Sequence, residues 1–169
     1  MAISPDYWPK ARTDAPIHLQ LKLTKRPEAY PDHVVAGKIV RIFRDETRRL
    51  RRGSRLSFTI HWFDERAPRD PNPGPPILEG QRFALLSSWL EAARYLEVYL
   101  APVESEPGGY DVVWDQATAM RRATSQPVNP AEAEGYGVFV TDEVRRHAAA
   151  LPQPWWRRWL PRAAKSEPS

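Results

Sequence analysis

The strongest constraint on the fold of this chain is a strict alternation of apolar and polar side chains over short runs. Residues 17–24, IHLQLKLT, place four aliphatic side chains on one face and four polar side chains on the other. Residues 56–62 alternate in the same way, with Phe58 and Ile60 on the apolar face. A period of two predicts strands that bury one face and turn the other outward, including His18 and Gln20.

The alternating runs, taken in chain order, predict a small barrel. Ser88 and Glu91 have the spacing of a capping box, which predicts a short helix that ends near Arg94. The predicted fold class is mainly β with an α extension, namely a five-stranded OB-like barrel plus short C-terminal helices. Five strands are expected, with the helix between the third and the fourth, near 17–24, 34–44, 55–63, 96–102 and 110–116. The side chains expected to be buried together are Leu19, Leu21, Ile39, Phe58, Ile60, Leu96, Val98 and Val112.

Two segments are expected to flank the barrel, which is assigned to residues 17–120. Residues 1–16 are interpreted as an N-terminal arm, and residues 121–169 as a helical C-terminal extension. The extension carries two patterns typical of helix starts, one at Asn129 before Pro130 and one at Thr141. The apolar side chains that follow Thr141 fall on one stripe, which predicts that the last helix lies against the barrel.

Three stretches of the barrel sequence resemble a known family of domains. The run VVAGKIVRIFRD is followed by LRRGSRLSFTIHWF, by a loop rich in proline and glycine, and then by RYLEVYL. Over about residues 34–114 this order resembles the netrin/tissue-inhibitor-like (NTR-like) OB domains. The resemblance implies the barrel fold. It does not imply protease inhibition, because that family carries its functional residues at a cysteine-bearing N-terminus and this chain has no cysteine.

The sequence has no strong catalytic or metal-binding signature. Without cysteine, disulfides, thiolate zinc sites and cysteine nucleophiles are excluded. The histidines lack the spacing of zinc ligands, and a triad of His61, Ser57 and Asp64 has no support beyond their nearness in sequence. We therefore expect no catalytic, metal-binding or cofactor-binding residues, and a protein that is not an enzyme. A hydrolase site under loop 64–80 is the weakest alternative.

Basic side chains are concentrated in residues 41–55, the segment that we call the arginine hairpin. The chain carries 25 basic and 21 acidic residues, a net charge of +4. Because guanidinium groups match phosphate oxygens, the hairpin is a candidate anion-binding site. Its candidate residues are Arg44, Arg48, Arg49, Arg51, Arg52 and Arg55. Two interpretations stay open: a solvated hairpin tip, which we favour, and OB-type nucleic-acid binding, which the acidic loop at Glu104 and Glu106 disfavours.

The tail PWWRRWLPR, residues 154–162, concentrates tryptophan and arginine. As a helical turn it would place the tryptophans on one side and two arginines on the other. Bounded by prolines, it is too short to span a bilayer. The candidate partner-binding residues are Trp155, Trp156, Arg157, Arg158 and Trp159. Three interpretations stay open: the tail packs on its own barrel, which we favour, it docks on a partner or a membrane surface, or it packs on nothing.

The function predicted from these observations is binding. We expect a non-enzymatic OB-like binding or accessory module that contacts a protein or envelope partner. A protein partner is expected first, and peripheral membrane contact and nucleic acid are the alternatives. Residues 1–16 lack an apolar core of signal-peptide length, which predicts a cytoplasmic location. If a leader has been removed from the natural chain, the location would be periplasmic or extracellular.

Overall fold

The structure, a computed structural model, describes residues 7–27, 33–65, 85–133 and 138–152. Within these ranges the chain is mainly β, as predicted. The strands are β1 (Ile17–Lys25), β2 (Val34–Asp45), β3 (Arg55–Thr59), β4 (Trp62–Phe63), β5 (Leu85–Leu86), β6 (Tyr95–Pro102), β7 (Tyr110–Met120) and β8 (Val138–Val140). The helices are α1 (Tyr7–Asp14), α2 (Ser87–Ala92) and α3 (Asp142–Ala150).

Five of the strands close into a barrel. Hydrogen-bonded neighbours follow the order β3-β2-β1-β6-β7, and β3 pairs with β7 to complete the ring. The closing pair is parallel, with Thr59 opposite Asp111, whereas the other four barrel pairs are antiparallel. Helix α2 lies in the chain between β3 and β6, where the helix was predicted. The prediction of a mainly β fold built on a five-stranded barrel is confirmed.

The barrel interior holds the side chains that the alternation assigned to it. All eight predicted core residues are buried except Val112, which is half-buried and packs against the core. Gly37 lies beside a bulge at the end of β1, where Leu23 and Lys25 pair with Gly37 and Ala36. A Cβ atom at Gly37 would lie 2.2 Å from Leu21 Cδ1 and 2.7 Å from Lys22 O, so only glycine fits this close approach.

The predicted third strand, 55–63, is divided in two. Strand β3 ends at Thr59, the residue that pairs with β7 to close the barrel, and the chain leaves the ladder there. The Ile60 amide donates to His33 O at 2.9 Å. Strand β4 then pairs in parallel with β5 as a separate two-stranded sheet. The alternation of apolar and polar side chains runs through residues 56–62 without interruption, so it does not mark the point at which the chain changes its partner strand.

The predicted capping box of α2 is wrong. The helix begins at Ser87, and its N-cap residue is Leu86, whose side chain makes no capping hydrogen bond. Ser88 is engaged elsewhere, because its amide and its hydroxyl both donate to the Glu65 carboxylate. A carboxylate from a distant part of the chain therefore takes the bonding role that the local pattern assigned to Glu91.

The C-terminal extension packs on the barrel as far as it is described. Strand β8 adds to the sheet in parallel with β7, and α3 begins after Thr141, as predicted. Its buried Val144 and Ala148 lie on the face that packs against α2 and β7. Asn129 with Pro130 does not start a helix, because the chain makes a single turn closed by the bond from Ala133 N to Pro130 O at 3.0 Å.

The segment predicted as an N-terminal arm contains helix α1. Its residues Trp8 and Arg12 are buried, and the helix packs against β7. None of the described helices is long and apolar enough to cross a membrane.

Candidate functional site

Part of the outward polar face of β1 and β6 is buried. His18 is 5% exposed, Gln20 0% and Glu97 1%, whereas Lys22 and Thr24 on the same face of β1 are exposed. The three buried side chains face away from the barrel interior, as the alternation predicted, but residues 121–133, which we call the covering segment, lie over them. A second layer of chain therefore separates this part of the face from solvent.

Glu97 is the centre of this buried cluster. Its Oε1 accepts bonds from His18 Nε2 at 3.1 Å and from the Asn129 amide at 3.0 Å. Its Oε2 accepts bonds from Gln20 Nε2 at 2.8 Å and from the Val128 amide at 2.9 Å. Two donors at each oxygen saturate the accepting capacity of a carboxylate. Since a carboxylate only accepts, the proton of the His18 bond lies on Nε2.

The other bonds of the cluster also join the barrel wall to the covering segment. Gln20 Nε2 donates to Thr124 Oγ1 at 2.6 Å, and Gln20 Oε1 accepts from the Thr124 amide at 3.0 Å. The Tyr99 hydroxyl donates to Asn129 O at 2.5 Å. We call this cluster the outer polar network, and its members are His18, Gln20, Glu97, Tyr99, Thr124 and Asn129.

Burial and hydrogen bonding set the ionisation of this network. Burial alone raises the pKa of Glu97, but hydrogen bonds from His18, Val128, Gln20 and Asn129 outweigh it and hold that pKa below its ordinary value. Burial, followed by the nearby Glu97 charge, raises the pKa of Tyr99. Glu97 is therefore an anion and Tyr99 a neutral donor at neutral pH, and both protonation states suit the bonds that they make.

Arg12 extends the buried polar layer to helix α1. Its guanidinium donates to Gln116 Oε1 at 3.0 Å, to Ala131 O at 3.3 Å and to Ala133 O. Burial lowers the pKa of Arg12 from its ordinary value, while the nearby Tyr99 and Glu132 oppose the shift. The side chain is fully buried, so it ties α1 to the covering segment without meeting solvent.

The arginine hairpin has the opposite character. Asp45 accepts bonds from the Thr47 hydroxyl at 2.5 Å, the Leu50 amide at 2.9 Å and the Arg48 amide at 3.1 Å. Burial alone would raise the pKa of Asp45, but these hydrogen bonds hold it below its ordinary value. Since the turn itself occupies this carboxylate, it does not neutralise the arginines around it. The side chains of five arginines of the hairpin are exposed, namely Arg48, Arg49, Arg51, Arg52 and Arg55.

Arg44 differs from the other candidate anion-binding residues. Its guanidinium donates to Thr13 O at 2.6 Å and to Arg12 O, which are carbonyls of the last turn of α1. These carbonyls lack partners within the helix, so Arg44 closes the helix end. It is half-buried and already bonded, and it stands apart from the exposed group.

The remaining sequence candidates lie apart from both regions. The candidate partner-binding residues of the tail, Trp155 through Trp159, lie outside the described residues. His61 is exposed, and its ring lies 6.0 Å from the ring of His33. Within the described ranges, no three His, Asp or Glu side chains come together as metal ligands would.

The chain matches no family model, no curated protein and no solved structure. The outer polar network was missed by sequence reasoning, although one signal pointed to it: Glu97 and Tyr99 interrupt one of the most apolar strands of the chain. A large polar side chain within an apolar strand either faces solvent or bonds to a polar partner, and the periodicity of the strand does not distinguish the two.

Proposed function

We propose that the protein is a non-enzymatic binding or accessory module, built on an OB-like barrel, that contacts a protein or envelope partner. The observation that carries the proposal is the saturation of Glu97. A buried carboxylate with a shifted pKa is the kind of group that would nominate an active site. Here all of its accepting capacity is used by internal bonds. Its surroundings favour a structural role.

The exposed chemistry of the described surface also supports binding. Five arginines of one turn extend into solvent, and among the described residues none has a carboxylate within ion-pair distance. Such a group suits attraction to an acidic surface more than proton transfer, because guanidinium stays protonated. Nucleic acid is the second candidate for the same reason. The resemblance to NTR-like domains stays a prediction, and it is consistent with a binding role.

The test combines two variants of the full chain at low and high salt. One variant lacks residues 154–169, and the other carries Ser at Arg48, Arg49, Arg51 and Arg52. If the tail docks on an envelope surface, its deletion should abolish co-sedimentation with phosphatidylglycerol vesicles. An apolar contact of tryptophans resists added salt, so the wild-type interaction should persist at about 0.5 M salt.

Three other results would decide against this proposal or refine it. Binding of single-stranded DNA that falls steeply with salt and vanishes in the arginine variant would establish the nucleic-acid alternative. A tail deletion that melts lower, with no loss of binding, would show that the tryptophans cover the protein's own barrel. An unchanged melting temperature with lost binding would assign the tail to the partner.

A further inference from the structure

A basic cleft lies at one end of the barrel wall, apart from the arginine hairpin and the outer polar network. Its volume is about 480 Å³. The side chains that line it come from the start of β6, the end of β7 and helix α3. They are those of Arg94, Arg121, Arg122, Glu143, Arg146 and His147, with Ala150 at the margin.

Main-chain hydrogen bonds fix the elements that bring these side chains together. The Arg94 amide donates to Met120 O at 2.9 Å, which places Arg94 beside the residue that precedes Arg121. The Leu23 amide donates to Arg94 O at 2.9 Å, and the Thr141 amide donates to Ala119 O at 3.2 Å. The cleft is therefore built on paired strands and on the start of a packed helix, and not on a single turn.

The charge of the cleft is not balanced by its own carboxylate. Four arginines and one glutamate leave three net positive charges, with His147 counted as neutral. The one ion pair among the described residues of the cleft joins Arg122 Nε to Glu143 Oε1 at 3.9 Å, and both side chains are exposed. A pair of this length between exposed side chains is weak, so it leaves Arg122 available to a ligand.

We propose that this cleft binds a small anion that carries at least two phosphate-type charges. Guanidinium groups from three elements surround the space, as multidentate recognition of phosphate oxygens requires. No Trp, Tyr or Phe side chain lies among its described lining residues, so a nucleobase would have no stacking platform there. The anion is either a free phosphorylated molecule or the headgroup of an anionic lipid, since both offer the same chemistry.

The site is distinct from the arginine hairpin, and the proposal stands independently of the proposed function. No residue of the hairpin lines the cleft. The hairpin arm nearest to it is Arg55, which pairs with Lys38 in β2. Lys38 pairs with Lys22 in β1, and Lys22 pairs with Tyr95, the residue after Arg94. Three strand spacings along the sheet, about 14 Å, therefore separate Arg55 from Tyr95. Substitutions in one region therefore leave the groups of the other in place.

The probe is inorganic pyrophosphate, measured by titration calorimetry on the full chain. The cleft variant carries Arg122→Ser and Arg146→Ser. Its control carries Arg145→Ser and Lys10→Ser, which removes the same charge from exposed residues outside the cleft and outside the arginine hairpin. We expect the cleft variant to lose at least about tenfold in affinity, because each charge-assisted bond contributes about that factor, and the control to lose less than about threefold.

Equal losses in both variants, or no binding by the wild type, would overturn the proposal. Vesicles of cardiolipin, whose headgroup carries two phosphates, in phosphatidylcholine distinguish the two sources of the anion. If the wild type binds them, pyrophosphate competes and the cleft variant does not bind, the ligand is a lipid headgroup. If pyrophosphate binding depends on the cleft and vesicle binding does not, the ligand is a soluble phosphate.

Discussion

The outer polar network and the arginine hairpin are both polar regions on the outside of one barrel, and they are used in opposite ways. In the network every charged oxygen of Glu97 has two donors, and the side chain is 1% exposed. In the hairpin, five arginines extend into solvent while the Asp45 carboxylate bonds the turn itself. Polar groups in the first region hold the chain together, and those in the second face solvent.

The difference teaches that a polar face on a strand does not define its own environment. His18 and Lys22 both lie on the outward face of β1, yet His18 is buried and Lys22 is exposed. The covering segment passes over the first half of the strand and not over the second. Whether a polar residue is structural or available is thus decided by a distant part of the chain.

The largest expected loss of stability follows from a substitution in the outer polar network. Glu97→Ala removes the shared acceptor of four hydrogen bonds, three of them buried, which should cost about 3–5 kcal/mol in the free energy of unfolding. For a chain of this size, that corresponds to a melting temperature lower by about 6–20 °C. The matched control is Glu104→Ala in the exposed β6–β7 turn, which should melt within about 2 °C of the wild type. If Glu97→Ala melts like the control, the network does not hold the covering segment.

A smaller effect should follow from pH. The folded pKa of Glu97 is below its ordinary value. The contribution of this carboxylate to stability is therefore complete above the unfolded pKa of about 4.3, and it is lost as the pH falls through the folded pKa. Between pH 7 and pH 3, the free energy of unfolding measured with denaturant should therefore fall more steeply with decreasing pH for the wild type than for Glu97→Gln. The two curves should converge in acid. Parallel curves over the whole range would mean that another group controls acid stability.

The smallest effect is expected in the hairpin. Replacing Arg48, Arg49, Arg51 and Arg52 together by Ser should change the free energy of unfolding by less than about 1 kcal/mol, because these side chains are exposed and lack carboxylate partners among the described residues. Asp45→Ala is the useful comparison, since it removes the acceptor of the turn and should cost more. A loss of several kcal/mol in the arginine variant would make those residues structural.

The barrel was predictable because its information is local. Alternation in residues 17–24 and 56–62 assigned the inward face correctly. Each of these inferences uses side chains a few residues apart, which is the range over which periodicity and turn chemistry act. The start of α3 after Thr141 belongs to the same class.

The outer layer was not predictable in this way. Gln20 meets Thr124 across 104 residues, and Arg12 meets Ala133 across 121. Ser88 fits a capping box by spacing, but the carboxylate that binds it comes from Glu65. In each case the local pattern identified a polar group that needs a partner, and only the folded chain shows which partner it has.

The covering segment also has a consequence for the order in which the protein is made. Strand β1 is synthesised early, but the groups that complete its outer face lie in residues 121–133. Contacts of such sequence separation form slowly, because a long loop must close before any of them is gained. A nascent chain that ends before residue 121 can still form the bonds of His18 and Gln20 to Glu97, but it lacks the groups of Thr124, Val128 and Asn129 that complete the network. Among the barrel strands, the first to be synthesised waits for the covering segment before its outer face is finished.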